Sequence, residues 1–206
     1  MKRDDFRFAE RLRVRWAEVD MQKVVFNGHY LAYVDTAIGQ WWRALALPYE
    51  ATLAALGGDL FVRKSTLEYL APARCDDLLE VGVRFEGAGT SSLRFAAGVF
   101  HEGRLLVRGE LVYVWTDAAT RRPCPAPAAL VEAFAAFERG EGMLRVEVGD
   151  WAALGPEAQA LRTAVFVEEQ RIPLALERDA ADAGALHAVA RNRLGLAVGT
   201  GRLLAG

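Results

Sequence analysis

The sequence predicts an α+β fold in which an antiparallel sheet wraps one long helix. Three observations carry this. Tyr30, Val34, Ile38, Trp41 and Leu45 recur every three or four residues and define one broad apolar stripe of helical period. Leu79, Val81, Val83 and Phe85 alternate with Glu80, Gly82, Arg84 and Glu86, the period of two of a half-buried strand. Leu93, Phe95, Ala97 and Val99 repeat it, and Leu105, Val107, Leu111, Tyr113 and Trp115 continue beyond a turn at His101-Glu102-Gly103. Connections that short pair strands antiparallel.

Taken in order, residues 8–16 alternate loosely and form a first strand. The long helix follows from Gly28, and Pro48, beyond its last apolar position, stops it. Its stripe is heavily aromatic, so this helix lies deep against the sheet. After Gly57-Gly58 the chain turns strand-like: residues 60–70, with the least regular alternation, then 79–86, 93–99 and 105–115. The run "TRRPCPAP" (residues 120–127) breaks that pattern, and Leu130, Phe134 and Phe137 share one face of a second helix. Arg139-Gly140-Glu141-Gly142 reads as a linker. Beyond it come a short strand (Leu144, Val146, Val148), a helix (Leu154, Ala158, Leu161, Val165), a break at Pro173 and two further apolar strands. Two domains are therefore expected, residues 1–140 and 141–206.

Composition narrows the function classes. With 52% hydrophobic and 25% charged residues, the 206-residue chain is too apolar for disorder. A formal net charge of -2 offers no footprint for nucleic acid or an acidic membrane. The first sixteen residues carry too many charges for a secretory signal, and no apolar run approaches the roughly 20 residues of a bilayer span. Cys75 and Cys124 are far apart in sequence and read as free thiols of a reducing compartment, so a cytoplasmic protein is expected. His29, His101 and His187 show no ligand spacing, and neither a metal nor another cofactor is expected.

The stretch "DMQKVVFNGHYLAY" (residues 20–33) departs from ordinary core. It brings a carboxylate, an asparagine and a glycine to the point where the helix begins. Four N–H groups at a helix start lack partners within the helix, and the helix dipole places partial positive charge there. Asn27 is a favoured N-cap residue, and Gly28 lets another group approach its backbone. Such a place can polarise a carbonyl and hold the anion that develops on it. Asp20, on the preceding loop, can fold back over that spot and attack the carbonyl or deprotonate a water that does. The plain alternative is a capping asparagine, a turn glycine and a turn-forming aspartate.

The run "RVRWAEVDMQKVVFNGHYLAYVDTA" (residues 13–37) resembles the hotdog-fold acyl-CoA thioesterases of the 4-hydroxybenzoyl-CoA thioesterase type. "LEYLAPARCDDLLEVGVRFE" and "GELVYVWTDAATRRPCPAP" are similar to that family's middle and final strands, and the likeness spans about residues 6–137. It implies a hotdog fold, an antiparallel sheet around a central helix. By position, Asp20 matches the family's catalytic acid, and the backbone of Gly28, His29 and Tyr30 matches the helix start that polarises the thioester carbonyl. Many members have His where Asn27 stands, whereas this chain has its imidazole at His29; Asn27 and His29 are both candidates for positioning substrate. Thioesters suit so spare a site, because sulfur overlaps poorly with the carbonyl and thiolate leaves readily. Ser91 and Ser92 lack the Gly-x-Ser-x-Gly setting of an esterase nucleophile, and Cys75 beside two acids is blunted. Coenzyme A brings phosphates, for which Arg63 and Lys64 are candidate partners, the alternative being a solvated face. Trp41, Trp42 and Phe61 are candidates for an acyl pocket or for plain core.

The second segment, "LRTAVFVEEQRIPLALERDAADAGALHAVA" with "VGTGRLL", resembles the first half of the GNAT acetyltransferase fold over about residues 144–204. Arg162, Phe166, Val167, Glu168, Glu169 and Gln170 match a helix signature there, and Asp179, Asp182 and His187 the segment entering the next strand. The glycines of "GLAVGTGRLLAG" do not fit a dinucleotide fingerprint and read as a hairpin turn and small strand residues. A partial acetyltransferase-like unit, inactive by itself and with exposed apolar strand edges, is expected.

The expected function is hydrolysis of an acyl-coenzyme A by water, with Asp20 as base or nucleophile and the helix start as oxyanion site. The rivals are a non-catalytic acyl-CoA-binding or assembly module, a hotdog enoyl-CoA hydratase, and an acetyltransferase if the second unit were complete. Because a lone hotdog unit has open sheet edges, a homodimer or homotetramer is expected.

Overall fold

The computed structural model of the chain describes residues 1–177 and 180–204. It divides into two compact units, Met1–Glu141 and Gly142–Gly206.

In the first unit the elements run β1 (Phe8–Arg13), α1 (Asn27–Ala44), α2 (Tyr49–Leu56), β2 (Gly58–Tyr69), β3 (Leu78–Ala88), β4 (Ser92–His101), β5 (Arg104–Asp117) and α3 (Ala128–Glu138). Among the described residues the strands form one five-stranded sheet in the order β1-β3-β4-β5-β2, and every pair is antiparallel. The turn from β4 to β5 holds Glu102 at φ 49° and Gly103 at φ 77°, the two left-handed residues of a tight hairpin. Helix α1 packs across β1, β3 and β4.

The alternation read in the sequence sets the inner face of this sheet. Leu79, Val81, Val83 and Phe85 of β3 are buried, as is the aromatic stripe of α1. Trp41 sits at the centre, edge-on to Phe134 of α3 (4.8 Å between ring centroids) and to Phe95 of β4 (5.3 Å). Contacts of that geometry add about 0.5–1.5 kcal/mol each beyond burial. On the other face, Phe6 packs with Ala96 and Phe100. A Cβ at Gly82 would stand 2.5 Å from the Phe6 ring, so only glycine leaves that ring room.

Three expectations need correction. Asn27 is not the N-cap of α1: Phe26 holds that place without a side-chain cap, and Asn27 is the first helical residue. Pro48 does not merely end a helix; it stands before α2, which closes at Gly57 in the left-handed conformation (φ 68°). The first strand stops at Arg13, since Arg15 bends into a short 3-10 turn spanning Trp16–Glu18. The loose alternation of residues 60–70 also has its reason. The register of β2 against β5 slips between Val62 and Lys64, leaving Arg63 as an extra residue in a bulge.

The second unit contains β6 (Leu144–Gly149), α4 (Trp151–Arg162), a π-helical turn (Thr163–Glu169), α5 (Leu174–Glu177), β7 (Leu186–Asn192) and β8 (Ala197–Leu203). Asp150 caps α4 by accepting the Ala153 N–H at 2.9 Å. The strands pair antiparallel as β6-β7-β8, and Leu154 and Ala158 of α4 pack on Val189. The apolar side chains Leu144, Val146, Val148, Leu186 and Leu203 remain exposed, Val146 at 60%. Arg162 joins Asp182 at 2.7 Å, and His187 Nε2 meets the Asp182 carbonyl at 2.8 Å. Asp179 lies outside the described residues.

Candidate active site

Between β1 and α1 the chain makes a tight loop. Val19 and Val25 form a lone β-bridge, Asp20 N–H donates to the Val24 carbonyl at 2.9 Å, and Lys23 N–H to the Asp20 carbonyl at 2.9 Å. Lys23 takes a positive φ of 62° to close it. The Asp20 side chain is half-buried, and its Oδ1 accepts the Gln22 N–H at 2.7 Å. One carboxylate oxygen is thus oriented by the loop itself.

That carboxylate lines a cleft of about 430 Å³ together with Asn27 and Tyr30 of α1, Tyr69 at the end of β2, and Ala71 and Pro72. Asp20 and the head of the long helix therefore share one cavity. The walls are held by hydrogen bonds between distant segments. Val25 N–H donates to the Ala73 carbonyl at 2.9 Å, and Tyr30 Oη accepts the Ala73 N–H at 2.9 Å. Tyr69 Oη donates to the Asn27 carbonyl at 3.1 Å, its ring edge-on to Tyr30. Burial raises the Tyr30 phenol above its ordinary range, which keeps it protonated.

The helix head is narrower than the sequence suggests. The N–H of His29 is taken by the Phe26 carbonyl at 2.9 Å. A helix start leaves its first N–H groups without acceptors inside the helix, so the donors facing outward are those of Asn27 and Gly28. Gly28 lies close under its own neighbour: a Cβ there would stand 2.8 Å from the Phe26 ring, which would have to turn aside. His29 lies half-exposed with its ring edge-on to Phe26, outside the cleft lining. Arg63 and Lys64 sit on β2 away from the cleft, and Lys64 Nζ pairs with Glu110 at 3.3 Å.

Sequence reasoning passed over Glu18 and Tyr33. Glu18 is 4% exposed, and its carboxylate accepts from the Arg15 backbone and guanidinium and from Tyr33 Oη. Burial alone would raise its pKa; the Arg15 hydrogen bonds, the Tyr33 hydroxyl and the Arg15 charge outweigh that and hold it below the ordinary carboxylate range. The i, i+3 pairing of Arg15 with Glu18 was the available signal.

A second cavity of about 300 Å³ lies between α1 and the sheet, lined by Asp35, Ile38, Trp42, Tyr49, Phe95 and Tyr113. Trp42 is thus a cavity wall, Trp41 is core, and Phe61 is half-exposed. Among the described residues no three His, Cys, Asp or Glu side chains gather as a metal site. No helix among them is long and apolar enough to cross a membrane.

Comparison with known proteins places this geometry. The acyl-CoA thioester hydrolase YbgC of Escherichia coli is 31% identical over 124 residues, covering 60% of this chain and 92% of that one. A putative esterase of Aquifex aeolicus is 30% identical over 95 residues, 46% of this chain and 73% of the other. A thioesterase from Thermus thermophilus, solved in complex with coenzyme A and Zn, is 28% identical, with a TM-score of 0.57 over 68% of this chain and 99% of its own. A 1,4-dihydroxy-2-naphthoyl-CoA thioesterase from Synechocystis, 21% identical, shares the fold with a TM-score of 0.57 over 62% of this chain and 95% of its own. The family described as the Thioesterase-like superfamily matches residues 14–134, more than half the chain and the whole segment from the Asp20 loop to α3. The chain belongs to the Thioesterase-like superfamily, and its first unit has the hotdog fold.

Proposed function

We propose that the chain hydrolyses acyl-coenzyme A thioesters, with the reacting carbonyl held between Asp20 and the head of α1. One observation carries the reading: a half-buried carboxylate and the first residue of a long helix line a single cleft of about 430 Å³. The N–H groups of Asn27 and Gly28 donate to the carbonyl oxygen and stabilise the negative charge that grows there. Asp20 either draws the proton from an attacking water or attacks the carbon itself, and coenzyme A thiolate departs. A cleft of this size takes the thioester end of the molecule, with the nucleotide outside it. The Thermus relative's coenzyme A supports the choice of ligand.

A panel of acyl-coenzyme A esters, followed by free-thiol release, tests the reading. No hydrolysis of any member would contradict it. A second reading has its own support, because the Gln22 N–H bond to Asp20 Oδ1 is the bond a turn-forming aspartate makes. That reading predicts acyl-coenzyme A binding without thiol release.

The open edges of the sheet support assembly into a homodimer or homotetramer. Strand β2 is one of its two outer strands, with Phe61 and Val62 exposed, Val62 at 54%. Such an edge invites pairing with a second copy. Light scattering of the purified chain should give at least twice the monomer mass; a monomer at working concentration would contradict this.

For residues 142–206 the order β6-α4-β7-β8, with Arg162 held on Asp182 beside His187, is what supports reading them as a partial acetyltransferase-like unit, proposed to be inactive. Robust acetyl transfer from acetyl-coenzyme A by the chain would overturn that reading.

A further inference from the structure

Glu18 lies two residues before Asp20 and is bonded on three sides. Its Oε2 accepts the Arg15 N–H and Tyr33 Oη, each at 2.7 Å. Its Oε1 accepts Arg15 Nε at 2.8 Å and Nη2 at 2.5 Å. Its backbone carbonyl accepts the N–H of Phe26, the residue before the helix head, at 2.9 Å. One residue thus ties together the segment just after β1, the cap of α1 and the second turn of α1. The loop carrying Asp20 hangs between those ties, closed by the Val19–Val25 bridge.

A buried carboxylate persists only when fully paired, since an unpaired one carries the whole cost of its lost hydration. A hydrophobic residue at position 18 would fill the same space with less demand on its neighbours. Neither Glu18, Arg15 nor Tyr33 lines the cleft. Any influence of these side chains on the chemistry therefore runs through the position of Asp20.

We propose that Glu18, clamped by Arg15 and Tyr33, is a positioning residue that fixes the span between the Asp20 carboxylate and the amides of Asn27 and Gly28. The inference rests on the thioesterase reading of that cleft. Reacting groups lose about 100-fold in rate for a displacement on the order of 1 Å, so a loosened clamp registers in turnover before it registers in binding.

The test is steady-state thiol release by Glu18→Gln, Tyr33→Phe and Asp20→Asn, each scaled to the folded fraction measured by circular dichroism at the assay temperature. The expected result is a kcat about tenfold or more below wild type for Glu18→Gln, a smaller fall for Tyr33→Phe, and a KM within about twofold in both. A purely structural role would lower the folded fraction and leave kcat per folded molecule unchanged; that result, with Asp20→Asn inactive, overturns the inference alone. Should Asp20→Asn keep wild-type turnover, the site reading and the inference fall together. If Glu18→Gln does not fold, Tyr33→Phe, which removes one bond of the set, decides the matter by the same criterion.

Discussion

Tyr69 Oη donates a hydrogen bond to the carbonyl of Asn27 at 3.1 Å, across 42 residues of chain. The bond joins the last residue of β2 to the first residue of α1, on the wall of the cleft that holds Asp20. Tyr69 is half-exposed, so the bond adds little to global stability, on the order of 0.5–1.5 kcal/mol. Tyr69→Phe should leave the unfolding midpoint within a few degrees of wild type while lowering kcat/KM roughly 2–10-fold. Parallel melts and thiol-release kinetics check it; unchanged kinetics would detach Tyr69 from the site.

Gly28→Ala puts a methyl group 2.8 Å from the Phe26 ring. That ring is half-exposed and can turn away, and alanine suits the first turn of a helix. The variant should fold with wild-type stability within about 1 kcal/mol, but the displaced ring should alter KM. Adding Phe26→Ala removes the collision and should reverse most of the methyl group's effect, which a double-mutant comparison of KM will show.

Tyr113 is 8% exposed, and its hydroxyl has no hydrogen-bond partner among the described residues. Leaving such a group buried costs about 1–3 kcal/mol. Burial, then the charge of Asp35, raises its pKa, so it stays a neutral phenol. Tyr113→Phe removes the unmet donor at almost constant volume, so urea unfolding should show equal or higher stability, by up to about 1 kcal/mol. A loss of stability would mean the hydroxyl is bonded in solution.

The Glu18 clamp also sets an acid limit. Its folded pKa lies below that of the unfolded chain, so its contribution is complete above the unfolded value of about 4.3 and vanishes as pH falls through the folded value. Wild type should therefore lose stability steeply below about pH 4. Glu18→Gln, which cannot ionise, should start less stable at pH 7 and lose less on acidification. Denaturant midpoints across pH 3–7 measure both curves; parallel curves would contradict the clamp.

How much of this could be read from the chain depends on the range of each interaction. Helix α1 and strands β3 to β5 were legible because their side chains alternate at the right period and one face is buried. Helix α2 was not, since Tyr49–Leu56 is too short to show a period and its bounding Pro48 and Gly57 also read as a stop and a turn. The capping role given to Asn27 failed because the residue before it, Phe26, is anchored through its own N–H to Glu18. The placement of Asp20 beside the head of α1 was legible through its neighbours in sequence. Its supporting shell was not: Tyr33 meets Glu18 across 15 residues, Ala73 meets Tyr30 across 43, and neither partnership leaves a periodic trace. Arg63 and Lys64 were chosen as phosphate partners by residue type alone; they lie outside the cleft lining, Arg63 in the β2 bulge.

The central claim is that the Asp20 carboxylate performs the chemistry in the cleft at the head of α1. Its most direct test is the rate of free-thiol release from a saturating acyl-coenzyme A by wild type and by Asp20→Asn, an exchange that preserves size and removes charge. The expected result is a fall in kcat of roughly 100–10,000-fold with the fold intact by circular dichroism. Turnover by Asp20→Asn at the wild-type rate would contradict it.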